Sequence, residues 1–244
     1  MSVAALQFQG VSKAYAGTSA GAPTGALSDF TLTVNAGECF GLVGANGAGK
    51  TTLIKCLLDF CEPNAGAIAI FGVPHRLTAS RARLAYLPER FNPPYYLTGG
   101  DFLHYMARMH RVAYNPGAAQ ALLSELDLDP AALAKPVRTY SKGMNQKLGL
   151  AACMLSRKDL YVLDEPTSGL DPRARILLKS KLKTLRDEGK TIFFTSHALA
   201  DVEEMCERVA VIDAGKLRFA GTPAELIRDQ NAGDIEQAFM ALVG

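Results

Sequence analysis

Apolar positions in this chain follow two rhythms. Near the start they form short runs at residues 6–8, 28–34 and 38–43, separated by a Gly- and Ala-rich connection over 16–26 and a turn at Asn35-Ala36-Gly37. That pattern reads as strands and turns in an early antiparallel layer. The apolar strand Cys39-Phe40-Gly41-Leu42-Val43 then enters a Gly-rich turn and a helix beginning near Lys50, which makes a βα unit. Residues 66–71 and 84–87 read as further strands, and 160–163 and 191–195 are continuous apolar runs of the kind found in parallel strands buried on both faces. Ile176, Leu177, Leu178, Leu182 and Leu185 recur at helical spacing between Pro172 and Glu188. Strand and helix therefore alternate in the second half.

From about Phe91 to Ser156 the strand rhythm gives way to helical patterns at 102–109, 118–126 and 142–155. The expectation is one domain over residues 1–244. Residues 1–90 and 157–221 form its α/β core, 91–156 an inserted helical subdomain, and 222–244 two short C-terminal helices. No repeat of solenoid period and no coiled-coil heptad is present.

Composition narrows the class of protein. The chain has 244 residues, 48% apolar and 20% charged, and its 26 basic and 24 acidic side chains leave a formal charge of +2. These are the proportions of an ordinary globular chain. The longest charge-free stretch, residues 14–28, is too short and too polar to span a bilayer. The N-terminus lacks the basic and apolar regions of a secretory signal. A near-neutral balance argues against a nucleic-acid partner, because phosphate backbones select a basic excess. Cys39, Cys56, Cys61, Cys153 and Cys206 are odd in number with no CxxC pair, which fits reduced, packed thiols. They share no zinc-type spacing with His75, His104, His110 or His197.

The chemistry begins at Gly44-Ala45-Asn46-Gly47-Ala48-Gly49-Lys50-Thr51-Thr52, which matches GxxxxGK[ST] between an apolar strand and a helix. Its glycines let successive backbone N–H groups face inward and cradle β- and γ-phosphates. Lys50 adds a point charge, Thr51 offers its hydroxyl to Mg²⁺, and the helix N-terminus contributes its positive end. The four fixed positions would arise by chance in a chain of this length on the order of 1% of the time.

The second element is Leu160-Tyr161-Val162-Leu163-Asp164-Glu165, an apolar strand ending in two carboxylates. Neighbours on a strand point to opposite faces, so the pair takes one shared role only if the strand ends between them. Asp164 suits the oxygen shell of a hard cation. Glu165 suits polarisation of an attacking water.

With these in place the sequence resembles the ATP-binding subunit of an ABC transporter, and further motifs occur in that family's order. Tyr140-Ser141-Lys142-Gly143-Met144-Asn145-Gln146 resembles the signature LSGGQ, Ser168-Gly169-Leu170-Asp171 the D-loop, His197 the switch histidine and Tyr15 the aromatic that stacks on adenine. The resemblance implies an α/β fold: a P-loop NTPase core with a mostly parallel sheet, an N-terminal antiparallel β layer and an inserted helical subdomain. It implies ATP and Mg²⁺ as ligands, with Thr51, Asp164 and Glu89 near the metal and Glu165 and His197 catalytic. Ser141, Gly143, Gln146 and Asp171 would serve the ATP of a second protomer, so that two copies close two composite sites. As a helix N-cap, Ser141 also has a purely structural reading.

One departure stands out. Where the family usually carries glutamine after a YLP-type strand, this chain reads Tyr86-Leu87-Pro88-Glu89, which loses an amide donor and adds a negative charge near the phosphates. Arg90-Phe91-Asn92-Pro93-Pro94-Tyr95-Tyr96-Leu97-Thr98 combines aromatics and prolines on an expected exposed hinge, and by resemblance lies beside the groove that receives a membrane-spanning permease subunit. The implied function is an ATP-hydrolysing motor driving export from the cytoplasmic face of the membrane. The SxGMxQ signature and Glu89 resemble the ABC-2 exporter type. A soluble ABC-type ATPase acting on DNA or ribosomes and an importer subunit are the alternatives.

Overall fold

The computed structural model describes residues 4–15 and 24–244. An antiparallel sheet has the strand order β2-β1-β4-β5, made of β1 (Ala4–Tyr15), β2 (Thr24–Asn35), β4 (Ala65–Ile70) and β5 (Val73–Pro74). A six-stranded sheet has the order β10-β9-β3-β8-β7-β6, made of β3 (Cys39–Val43), β6 (Leu84–Leu87), β7 (Leu160–Asp164), β8 (Thr191–Ser196), β9 (Arg208–Asp213) and β10 (Lys216–Gly221). Every neighbouring pair in it is parallel except β9 and β10. The helices are α1 (Lys50–Leu57), α2 (Gly99–Met109), α3 (Pro116–Glu125), α4 (Lys142–Leu155), α5 (Pro172–Asp187), α6 (Leu199–Met205), α7 (Pro223–Asp229) and α8 (Ile235–Val243). No helix among the described residues is long and apolar enough to cross a membrane.

The parallel strands are buried on both faces, and their alternation splits the apolar core in two. Phe40, Leu42, Leu160, Val162 and Phe193 turn toward α1 and the antiparallel sheet, where they meet Leu53, Ile54, Leu57, Phe8 and Phe30. Cys39, Val43, Tyr161, Leu163, Ile192 and Phe194 turn the other way, onto the remaining helices. This explains why the strands read as unbroken apolar runs and not as alternating ones. Each large side chain so buried contributes about 1.5–3 kcal/mol relative to an exposed one. The helices α2, α3 and α4 lie between residues 91 and 156 and pack into the same second cluster, through Phe102, Leu123 and Leu148 among others. All five cysteines are free thiols, four buried and Cys61 half-buried.

The sheet register builds the site. Val43 of β3 pairs with Ser196 of β8, Asp164 of β7 with Thr195, and Leu87 of β6 with Leu163. The carboxyl ends of four parallel strands therefore finish side by side, the edge at which open α/β sheets bind their ligands.

The structure departs from the sequence pattern in three places. Residues 24–26 belong to β2, with Ala14 opposite Gly25 and Tyr15 opposite Thr24, so the expected connection over 16–26 is shorter than its composition suggested. The remainder of that connection, residues 16–23, lies outside the described residues. Both early strands run to twelve residues, because pairing with each other gives Gly- and Ala-rich segments partners that their own propensity does not announce. The short α6 and the β9–β10 hairpin were also not expected.

Candidate functional site

The phosphate-loop sequence occupies the turn from β3 into α1, and steric constraints from its neighbours fix its course. Gly49 takes φ 115° just before the helix, a conformation that disfavours side chains, and a Cβ there would lie 2.5 Å from the Ala26 carbonyl oxygen. At Gly44 a Cβ would come within the space of the Ile212 carbonyl. The Gly215 amide donates to the Ala48 carbonyl at 2.9 Å, and the Ser28 amide donates to Gly215 at 2.9 Å, so the loop is tied to both β2 and the β9–β10 turn. Lys50 is 7% exposed, and its Nζ donates to the Gly44 carbonyl at 2.6 Å and the Ala45 carbonyl at 3.3 Å. Burial holds this ammonium below the ordinary lysine range, against the pull of Glu165, Asp164 and Glu89.

A cleft of about 340 Å³ opens over the loop. It is lined by Ala45, Asn46, Gly47, Gly49, Lys50, Thr51 and Thr52 from the loop and α1, by Ala26 of β2, and by Glu89, Asp164, Glu165, Ser168 and His197 from the ends of the parallel strands. The volume is that of a small-molecule pocket.

β7 ends at Asp164, and both carboxylates line the same cleft, each with its own partners. Asp164 accepts a hydrogen bond from Thr195 Oγ1 at 2.6 Å and one from Thr51 Oγ1 at 3.5 Å. Burial holds the Asp164 carboxyl above the ordinary aspartate range, the Thr195 hydroxyl opposes this, the charges of Glu89 and Glu165 add to it, and Lys50 pulls the other way. Glu165 sits just past the strand at φ 49°. Its backbone N–H donates to Thr195 Oγ1 at 2.9 Å, and its Oε2 lies 2.8 Å from His197 Nδ1.

The donor set can be weighed for a metal. Among the described residues no three His, Cys, Asp or Glu side chains gather into a cage. Instead one hydroxyl and one carboxylate face each other across the cleft at Thr51 and Asp164. That set fits Mg²⁺, which takes one or two protein oxygens and completes its shell with phosphates and water.

The cleft therefore gathers most of the expected residues of the loop together with Glu89, Asp164, Glu165 and His197; Ala48, between loop residues, is itself buried. Other expected residues lie elsewhere. Tyr15 is 41% exposed at the end of β1, with its hydroxyl 3.8 Å from Cys61 Sγ and Lys13 Nζ 5.3 Å from its ring centre. Ser141 is the N-cap of α4 and accepts from the Met144 amide at 3.2 Å. Gly143 approaches the Gly169 carbonyl, where a Cβ would sit at 3.0 Å. Asp171 caps α5 by accepting from the Ala174 amide at 2.9 Å. Gln146 is buried, and its amide donates to the Pro166 carbonyl at 3.2 Å, which joins α4 to the segment after β7.

Three contributors escaped the sequence. Ala26 acts through its backbone carbonyl, which no side-chain pattern reveals. Ser168 stood in the D-loop resemblance without a site role. Thr195 carried one available signal, a hydroxyl directly after the apolar run Ile192-Phe193-Phe194.

Residues 27–168 match the sequence profile of the ABC transporter family. An uncharacterized ABC transporter ATP-binding protein of Synechocystis is 37% identical over 86% of this chain, and one of Nostoc is 40% identical over 86%. The matched segment covers 60% and 64% of those relatives' own length. A Nod factor export ATP-binding protein I of Burkholderia thailandensis is 37% identical over 98% of this chain and 78% of its own. Among solved structures, an ATP-binding subunit of an ABC transporter superposes with a TM-score of 0.87 at 29% identity, covering 97% of this chain and 98% of that one. A dimeric ATP-binding cassette in a post-hydrolysis state, bound to ADP and Pi, shares the fold with a TM-score of 0.81 at 20% identity, covering 89% of this chain and 98% of its own. The chain belongs to the ABC transporter family, as one of its ATP-binding domains.

Proposed function

We propose that this chain is the ATP-hydrolysing motor subunit of an ABC exporter, working as a pair of copies on the cytoplasmic face of a membrane beneath a separate permease. The observation that carries the reading is the contact of Glu165 with His197 in the cleft that also holds Lys50. Lys50 leaves the carbonyls of its own loop to meet the β- and γ-phosphates, and the loop amides and the N-terminus of α1 complete the anion site. Thr51 and Asp164 would hold Mg²⁺, with Glu89 beside them, and the ion would supply neutralisation of charge on the phosphate oxygens. Glu165 accepts the proton of the attacking water. With Glu165 ionised, His197 Nδ1 donates to it, which fixes the ring with Nε2 free to face the γ-phosphate.

Residues 91–156 serve as the helical subdomain, presenting Ser141, Gly143 and Asp171 nearby to the ATP of the second copy and Tyr95 and Tyr96 to the permease. The exposure of those two tyrosines, 70% and 71%, supports the last assignment. Export is favoured over import by the Nod factor export relative and by Glu89 in the place of glutamine.

The test is Glu165→Gln, which keeps shape and removes the base. ATP hydrolysis should fall about 10²–10⁴-fold with ATP affinity retained and a closed dimer trapped by ATP, read by phosphate release and gel filtration. A variant that hydrolyses at the unmodified rate refutes the assignment of the base.

A further inference from the structure

We infer that Thr195 is the positioning residue that lets the adjacent carboxylates Asp164 and Glu165 do different work. The inference rests on the roles proposed above for those two residues.

Strand geometry sends consecutive side chains to opposite faces, and Asp164 is the last residue of β7. For Glu165 to turn back into the same cleft, its backbone must leave the strand at once, and it does so at φ 49°, in the left-handed region that a residue with a side chain rarely adopts. Such a conformation persists only where the surroundings over-determine it. Thr195 is opposite Asp164 in the β7–β8 register, and it is fully buried. Its hydroxyl donates its one proton to Asp164 Oδ1 at 2.6 Å and accepts from the Glu165 backbone N–H at 2.9 Å. One oxygen therefore fixes the carboxylate on one side of the strand end and the bend that redirects the other.

No neighbouring group duplicates this arrangement. Thr51 reaches Asp164 through the other oxygen and at 3.5 Å, and His197 grips the tip of Glu165, not its backbone. The Ser168 amide holds the Glu165 carbonyl, which closes the turn after the bend. Removing the Thr195 hydroxyl would leave a buried Glu165 N–H without its acceptor and Asp164 without its short bond. Neither Lys50 nor the loop amides would be disturbed. The prediction is accordingly a loss in the chemical step with nucleotide binding intact.

The experiment compares Thr195→Val, which keeps the shape and loses both bonds, with Thr195→Ser, which keeps both. Thr195→Ala carries the test where the valine variant does not fold. Kinetics and titration with a fluorescent ATP analogue are run beside Glu165→Gln. Misplacement of a reacting group by about 1 Å is worth roughly 10²-fold in rate, so kcat of the valine variant should fall about that far, with KM and analogue affinity within about twofold of the parent. The serine variant should recover most of the rate. An unchanged kcat in the valine variant, an equal loss in kcat and affinity, or a serine variant as slow as the valine one overturns the inference. If Glu165→Gln also hydrolyses normally, the proposed base has failed. If Glu165→Gln is inactive and Thr195→Val is not, this inference alone has failed.

Discussion

Glu165 Oε2 and His197 Nδ1 lie 2.8 Å apart, yet the carboxylate side chain is 9% exposed and the imidazole 69%. A buried base is thus held at its tip by a side chain that is mostly in water. The imidazole stays in water while it reaches the buried carboxylate, so the contact is suited to orienting that group.

His197→Ala follows directly. The variant should remain folded and should bind ATP as before. Hydrolysis should fall roughly 10²–10³-fold, the usual effect of losing one oriented donor. Thermal unfolding and phosphate release measured on the same sample check both halves, and a normal rate would show that the imidazole is only a surface partner.

Lys50 separates nucleotide binding from stability in the opposite direction. Its ammonium is buried and its folded pKa is depressed. A lysine with a depressed folded pKa weakens the fold at neutral pH, and the loss disappears as pH climbs from the folded value toward the unfolded one. Lys50→Met should therefore keep or raise the melting temperature of the ligand-free protein near pH 7. It should also lose the charged contact to phosphate, worth about 1.5–3 kcal/mol, or roughly 10- to 100-fold in affinity. Calorimetric titration with unchanged ATP affinity would contradict the assignment.

Gly49 tests whether the loop geometry itself matters. Alanine there meets both an unfavourable φ and the Ala26 carbonyl at 2.5 Å, and should cost about 1–3 kcal/mol in urea unfolding. The rearranged loop should also bind ATP more weakly. Full stability in Gly49→Ala would mean that β2 yields freely and that the contact with Ala26 does not constrain the loop.

How legible this site was depended on which atoms carry it. Lys50, Thr51, Asp164 and Glu165 announced themselves because phosphate and Mg²⁺ chemistry needs those side chains at fixed distances from strand ends, and the apolar runs placed the strands. The full length of β2 was hidden because its stability comes from pairing with β1, which local propensity in a Gly- and Ala-rich segment cannot express. Ala26 contributes a backbone carbonyl beside Gly49, and any residue in that conformation would supply the same atom. The contact Gln146 makes in the structure was hidden for a related reason. Its place in the signature-like segment suggested a contact outward, while the packing of α4 on the loop after β7 turned its amide inward to Pro166.

Ser141 offers a way to separate a cap from a ligand, two roles that one oxygen can fill. It caps α4 by accepting from the Met144 amide. Replacement by alanine would remove cap and hydroxyl together, at about 1 kcal/mol for the cap, and so could not distinguish them. Aspartate can. It caps helices as well as serine does, and its negative charge at a helix N-terminus adds about 0.3–1 kcal/mol of favourable interaction with the helix dipole. The melting temperature of Ser141→Asp should equal or exceed that of the parent. If Ser141 faces the γ-phosphate of a second copy, the same charge repels it, and both the ATP-dependent dimer of a Glu165→Gln background and steady-state hydrolysis should be lost. Gel filtration of the double variant and phosphate release from the single one read these outcomes. A stable Ser141→Asp protein that still dimerises and hydrolyses would make Ser141 a cap and nothing more.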